Sequence, residues 1–202
     1  MFLFNFFSRK KKPQEESENP SPEHQHFCES AINIFTPLLN EKGFITKTEI
    51  KKYFTGLTFR RGTQYIEIRG STFPTDYPYF YNIILGDGDS ENFIEHDWNS
   101  IALWRLKAKI DPGAKAEEYA FPFEEEYAFP FENEVSLSLT HAKDELIKYG
   151  STFLNGELTI FMETRKLQNQ DREPYRISYV NENGDRQITY EEKSAQMKKK
   201  YS

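Results

Sequence analysis

The run FITKTEIKKYFTGLTFRRGTQYIEIR, residues 44–69, turns the chain from a helical to an extended period. Its β-branched and aromatic residues make Phe44–Ile50, Tyr53–Arg61 and Gln64–Arg69 three candidate strands. Arg61-Gly62-Thr63 reads as the hairpin turn between the last two. Downstream, the proline-containing FPTDYP at 73–78 leads into a strong strand, Tyr79–Leu85. Strands following one another this closely pair antiparallel, so the expectation is a mainly antiparallel sheet.

On the N-terminal side, Ser21-Pro22-Glu23 combines a hydroxyl cap, proline at the first helical position and an acid in the first turn. Phe27, Ala31, Ile34, Phe35 and Leu38 then recur at helical spacing until Gly43, and Pro37 is expected to kink or restart that helix with Thr36 as its cap. On the C-terminal side, Val135–Tyr149 reads as a helix through Leu139, Ala142 and Leu146, ended by Gly150. Glu157–Gln168 reads as another, carrying Leu158, Phe161 and Met162. The alternation of Ala102, Trp104, Leu106 and Ala108 makes Ser100–Lys109 a strand, although Ile101, Trp104 and Ala108 also fit a helix. Asn183-Gly184 marks a hairpin between 176–180 and 186–190, and KSAQMKKKYS at the end reads as a short frayed helix. The expected class is α+β, a mainly antiparallel sheet packed by about three helices, with a disordered N-terminal tail. The expected organisation is an apolar-basic tail and linker over 1–20 and one domain over 21–202.

Composition narrows the function classes. The 202 residues, 37% hydrophobic and 16% aromatic, suffice for a core. Cys28 is the only cysteine, which excludes an intrachain disulfide and points to a reducing compartment. A net charge of -6 argues against nucleic-acid binding, which needs clustered Lys and Arg, and favours a basic protein partner. No segment has the roughly 20 apolar residues of a transmembrane helix. The start, MFLFNFFSRKKK, places its charges after a short apolar run and does not read as a secretory signal. It allows an interfacial anchor in which Phe2, Phe4, Phe6 and Phe7 enter the headgroup boundary while Lys10, Lys11 and Lys12 meet anionic lipid; the plainer alternative is a frayed cytosolic tail.

Glu117–Glu124 and Glu125–Glu132 both read EEYAFPFE, a perfect tandem duplication. Two copies build no solenoid, and identity at every position points to an insertion in a tolerant surface loop. An extended copy would place Tyr119, Phe121 and Phe123, or Tyr127, Phe129 and Phe131, along one side, an aromatic-acidic segment able to add to a sheet edge or groove. The competing explanation is a neutral duplication held at the surface.

Several apparent sites carry plainer explanations. Asp87-Gly88-Asp89-Ser90-Glu91 starts like a calcium loop, but Asn92 and Trp98 occupy the positions of the required glycine and bidentate glutamate, so a solvated turn is expected. His24 and Cys28 share a helix face, yet without a second cysteine or an orienting group Cys28 reads as structural. Arg60, Arg61 and Arg69 near Tyr77, Tyr79, Phe80 and Tyr81 suggest an anion or ligand pocket, or simply an edge guarded by charge and a half-buried strand. Asp171-Arg172-Glu173 reads as a turn with local ion pairs.

The leading expectation is a non-enzymatic protein-binding domain, cytoplasmic, using no metal or other cofactor. The stretches 87–97 and 117–134 contain no Lys or Arg, so Asp87, Asp89, Glu91, Glu95 and Asp97, with the octapeptide aromatics, would face a basic protein. A bacterial toxin-neutralising immunity protein would have such properties, and no motif establishes membership. The alternative is an enzyme using His96, flanked by Glu95 and Asp97, for acid–base work, for which His96 must line a concave pocket. A third reading is a peripheral adaptor on the inner membrane face.

Overall fold

Helix α1, Pro22–Glu41, buries Phe27, Ala31, Phe35 and Leu39, a four-residue repeat that lays one stripe against a sheet. The computed structural model describes residues 22–51, 54–71, 80–89, 93–113, 121–122, 133–175, 178–180, 186–188 and 191–202. Pro37 does not restart α1, which runs through it as one helix. Asn33, whose carbonyl loses its bond to the proline nitrogen, and Pro37 itself are both exposed, so the loss falls on the solvent side.

The sheet follows as β1 (Ile45–Lys51), β2 (Phe54–Arg61), β3 (Gln64–Ser71) and β4 (Phe80–Asp87), each antiparallel to the last. Gly62 takes a φ of 59° in the β2–β3 turn, a conformation that favours glycine. Alternation sorts the strands into two faces. Leu57, Phe59, Ile66, Ile68, Ile83 and Leu85 point to the helices and are buried. Registers Lys47↔Thr58, Thr58↔Glu67 and Glu67↔Ile84 set a second row on the opposite face.

After β4 come helix α2 (Phe93–Asn99), strand β5 (Ser100–Ala102) beside β4, and helix α3 (Leu103–Ile110). The strand expected over Ser100–Lys109 is therefore corrected after three residues. Leu103, Leu106 and Lys107 are the buried positions of α3, a helical spacing. Lys107 hid it: Nζ donates to Glu145 Oε1 at 2.7 Å, so a charge occupies a place where apolar periodicity expects a hydrophobe.

A two-residue strand β6, Phe121–Pro122, pairs with Phe80 and Tyr81 of β4. Helix α4 (Asn133–Tyr149) packs beside α1 and brings Val135, Leu139, Ala142 and Leu146 into the core. Helices α5 (Ser151–Leu154) and α6 (Thr159–Gln170), the hairpin β7 (Ser178–Val180) and β8 (Arg186–Ile188), and helix α7 (Glu191–Tyr201) complete the order. The class is α+β with an antiparallel sheet, as expected, and seven helices are present among the described residues, more than the three anticipated. No helix among them is long and apolar enough to cross a membrane. The tail and linker of 1–20 lie outside the described residues.

Candidate functional site

On the face of the sheet turned away from α1, β2 lines a trough with Gly56 and Thr58 ahead of Arg60, while its neighbours contribute Lys47 and Glu49 from β1 and Glu67 and Arg69 from β3. Small residues on the middle strand between long charged ones leave a trough. His96 of α2 joins this lining, and the resulting cavity is about 230 Å³.

The position of α2 is fixed from both sides. Ile94 and Trp98, one turn apart, bury with Tyr201, and Met197 and Tyr175 pack against them. The opposite side meets Tyr65: the His96 ring stacks on it at 4.8 Å, and the Tyr65 hydroxyl donates a short hydrogen bond to Asn99 Oδ1. Tyr65 lies over Gly86 of β4, where a Cβ would fall 1.9 Å from the phenol Cζ. Burial pushes the Tyr65 phenol well above its ordinary range, so it remains a donor at physiological pH.

Glu67 is only 5% exposed. Its Oε1 accepts from Arg69 Nε at 2.9 Å. Its Oε2 is buried and lies 3.3 Å from His96 Nε2, an ion-pair distance, and accepts no well-formed hydrogen bond among the described residues. Burial alone would raise the Glu67 carboxyl, but His96 and Arg69 outweigh it and hold the group below its usual value. Arg60 closes the end of the trough, donating from NH1 to the Gly88 carbonyl at 3.0 Å and lying over the Tyr65 ring.

The three arginines grouped by sequence separate. Arg60 and Arg69 line the open face, whereas Arg61 turns to the helix side and donates to the carbonyls of Lys42 at 2.7 Å and Leu154 at 2.9 Å. His24 and Cys28 are both buried, with His24 Nδ1 2.8 Å from Thr55 Oγ1, and burial raises the Cys28 thiol, with Glu29 adding to the effect. That environment suits packing better than nucleophilic chemistry.

Consecutive Glu95, His96 and Asp97 do not act together, because the helix fans them apart. Glu95 accepts from Lys200 Nζ at 2.7 Å and from the Tyr201 hydroxyl at 2.6 Å. Asp97 pairs with Arg172, whose NH1 also donates to the Asp97 carbonyl. Asp87 lies 4.0 Å from the buried Arg165. Three of the acids expected to meet a partner thus have cations of this chain beside them, while Asp89 is exposed. Glu91, Tyr119, Phe123, Tyr127, Phe129 and Phe131 lie outside the described residues, as do Phe2, Phe4, Phe6, Phe7, Lys10, Lys11 and Lys12; Phe121 is placed by its pairing with Tyr81. Among the described residues, no three His, Cys, Asp or Glu side chains come together as a metal site.

No family model matches, and neither the curated proteins nor the solved structures give a match. Any functional assignment therefore rests on the residues themselves. Sequence reasoning passed over Lys47, Glu49 and Glu67; the signal for Glu67 was a carboxylate in strict alternation with Tyr65 and Arg69 on a strand whose other face is largely apolar.

Proposed function

We propose that the chain is a protein-binding domain whose contact surface is the charged sheet face around Glu67 and His96. The observation that carries this reading is the open trough itself, lined by charges of both signs that three elements bring together, Lys47 and Glu49 from β1, Glu67 and Arg69 from β3 and His96 from α2; a side chain of a partner would enter it. Size favours a side chain over a cofactor. About 230 Å³ falls below the roughly 300–1,000 Å³ of small-molecule sites. The lining carries both signs, Lys47, Arg60 and Arg69 with Glu49 and Glu67, so the contacting surface of the partner is of mixed charge.

This reading moves the contact away from the 87–97 acids, whose ion pairs with Arg165, Lys200 and Arg172 reduce the field they offer a basic partner. A photocrosslinking residue placed at Thr58, and separately at Asp89, tests the shift. Capture through position 58 that Arg69→Glu abolishes is the expected result. Capture through position 89 alone would return the contact to the acidic stretch.

A second reading draws on the same cavity. His96 lines it with the Glu67 carboxylate 3.3 Å from Nε2, a negative charge placed to support proton transfer at the ring. An activity lost in His96→Ala with the thermal transition unchanged would favour it.

A further inference from the structure

Among the described residues strand β1 ends the sheet: β2 is its one neighbour in the strand order, and its outer edge presents the backbone of Ile45–Lys51. Such an edge is a template for another strand. The sequence there, ITKTEIK, complements itself when reversed about Thr48. We propose that β1 pairs antiparallel with β1 of a second copy about a two-fold axis at Thr48, giving a homodimer with one continuous sheet.

In that register Lys47 stands opposite the partner's Glu49, and symmetry repeats the ion pair on the other side of the axis. Sliding the axis to position 47 sets lysine on lysine, and sliding it to position 49 sets glutamate on glutamate. Charge therefore selects the Thr48 register. Lys47, Thr48 and Glu49 are exposed in one copy, and Ile45, which the pairing brings beside the partner's Lys51, is 78% exposed. With the axis perpendicular to the sheet, both α1 helices lie on one side and both troughs on the other. Lys47 and Glu49 line the trough, so the partner's Glu49 and the partner's Lys47 extend its outer wall. The inference stands on the edge alone and does not depend on what the trough binds.

Lysine on an edge strand also serves to repel strangers, and charge reversal separates the two roles. A seven-residue strand pair buries less than the roughly 1,200–2,000 Å² of standard interfaces, which places the association among the weak, transient ones. Sedimentation of the full chain between about 5 and 500 µM covers micromolar association. The unmodified chain is expected to dimerise. Lys47→Glu or Glu49→Lys alone weakens dimerisation by about tenfold or more, because each places two like-charge pairs at the axis, and the double exchange restores it. Amide exchange in β1 slows with concentration in the unmodified chain and not in the single variants. A chain monomeric throughout the range, or single variants that dimerise as well as the parent, overturns the proposal.

Discussion

His96 Nε2 lies 3.3 Å from Glu67 Oε2, an imidazole on a seven-residue helix facing a carboxylate on β3. This contact and Arg69 keep the Glu67 carboxyl below its ordinary value of 4.5, against the upward push of burial. A group whose folded value is depressed stabilises the fold above its unfolded value and loses that contribution as pH falls through the folded one. Glu67 thus contributes fully above about pH 4.5 and progressively less below it. Urea unfolding of Glu67→Gln is expected to show a loss of about 1–3 kcal/mol at pH 7 and a smaller deficit at pH 3. An equal deficit at both values would remove the ionised carboxylate from the account.

Gly86 sets the depth at which Tyr65 lies, since a Cβ there would meet the phenol ring at 1.9 to 2.4 Å. Gly86→Ala is expected to displace the ring and cost about 1–3 kcal/mol or more in a denaturant titration. Tyr65 also carries the stack with His96, so the near-ultraviolet circular dichroism should change as well. Combining Gly86→Ala with Tyr65→Ala tests the cause: the two costs should be markedly less than additive if the clash is the mechanism.

Much of the sheet was legible in residues 44–85 because alternation, a turn glycine and short spacing all agreed. Helix α4 was legible because its buried positions are apolar at helical spacing. Helix α3 was not, because one of its three buried residues is Lys107, whose partner Glu145 lies on another element. The site was harder still. His96 was flagged for its sequence neighbours Glu95 and Asp97, which turn to Lys200 and Arg172, while the carboxylate it faces is 29 positions back along the chain. A local reading cannot supply a contact that only the β3–α2 juxtaposition creates. Nor can it reveal that the 87–97 acids are answered by Arg165, Arg172 and Lys200, all from the last third of the sequence.

Helix α7 reaches the candidate site through α2. Ser194 Oγ accepts from the Trp98 indole at 3.1 Å and from the Tyr175 amide at 3.2 Å. Ser194→Ala leaves both donors without this acceptor in a buried setting, a loss of about 1–3 kcal/mol. The indole N–H resonance of Trp98 should move most, followed by His96 ring signals, because both sit on α2. A shift confined to residues of α7 would show that α2 is held by other contacts.

Cys28 is 1% exposed, and burial raises its thiol, with Glu29 adding to the effect. Little thiolate is available in the folded state. A disulfide reagent at pH 8 is expected to label the chain at once in denaturant and slowly without it. Rapid labelling of the native protein would mean that the first turns of α1 open readily.

Deleting residues 125–132 is expected to leave the fold intact. Because the copies are identical and adjacent, removing 117–124 gives the same polypeptide, so the product always retains one EEYAFPFE. The described contact of the duplication, Phe121–Pro122 beside Phe80 and Tyr81 of β4, needs one copy. Shortening the connection between α3 and α4 lowers its closure cost by roughly a few tenths of a kcal/mol, too little to offset a real structural loss. The melting temperature should therefore change by less than about 3 °C, which corresponds to about 1 kcal/mol in a chain this size. A larger fall would mean that both copies contribute to the folded state, and that the duplicated segment is a structural part of the domain.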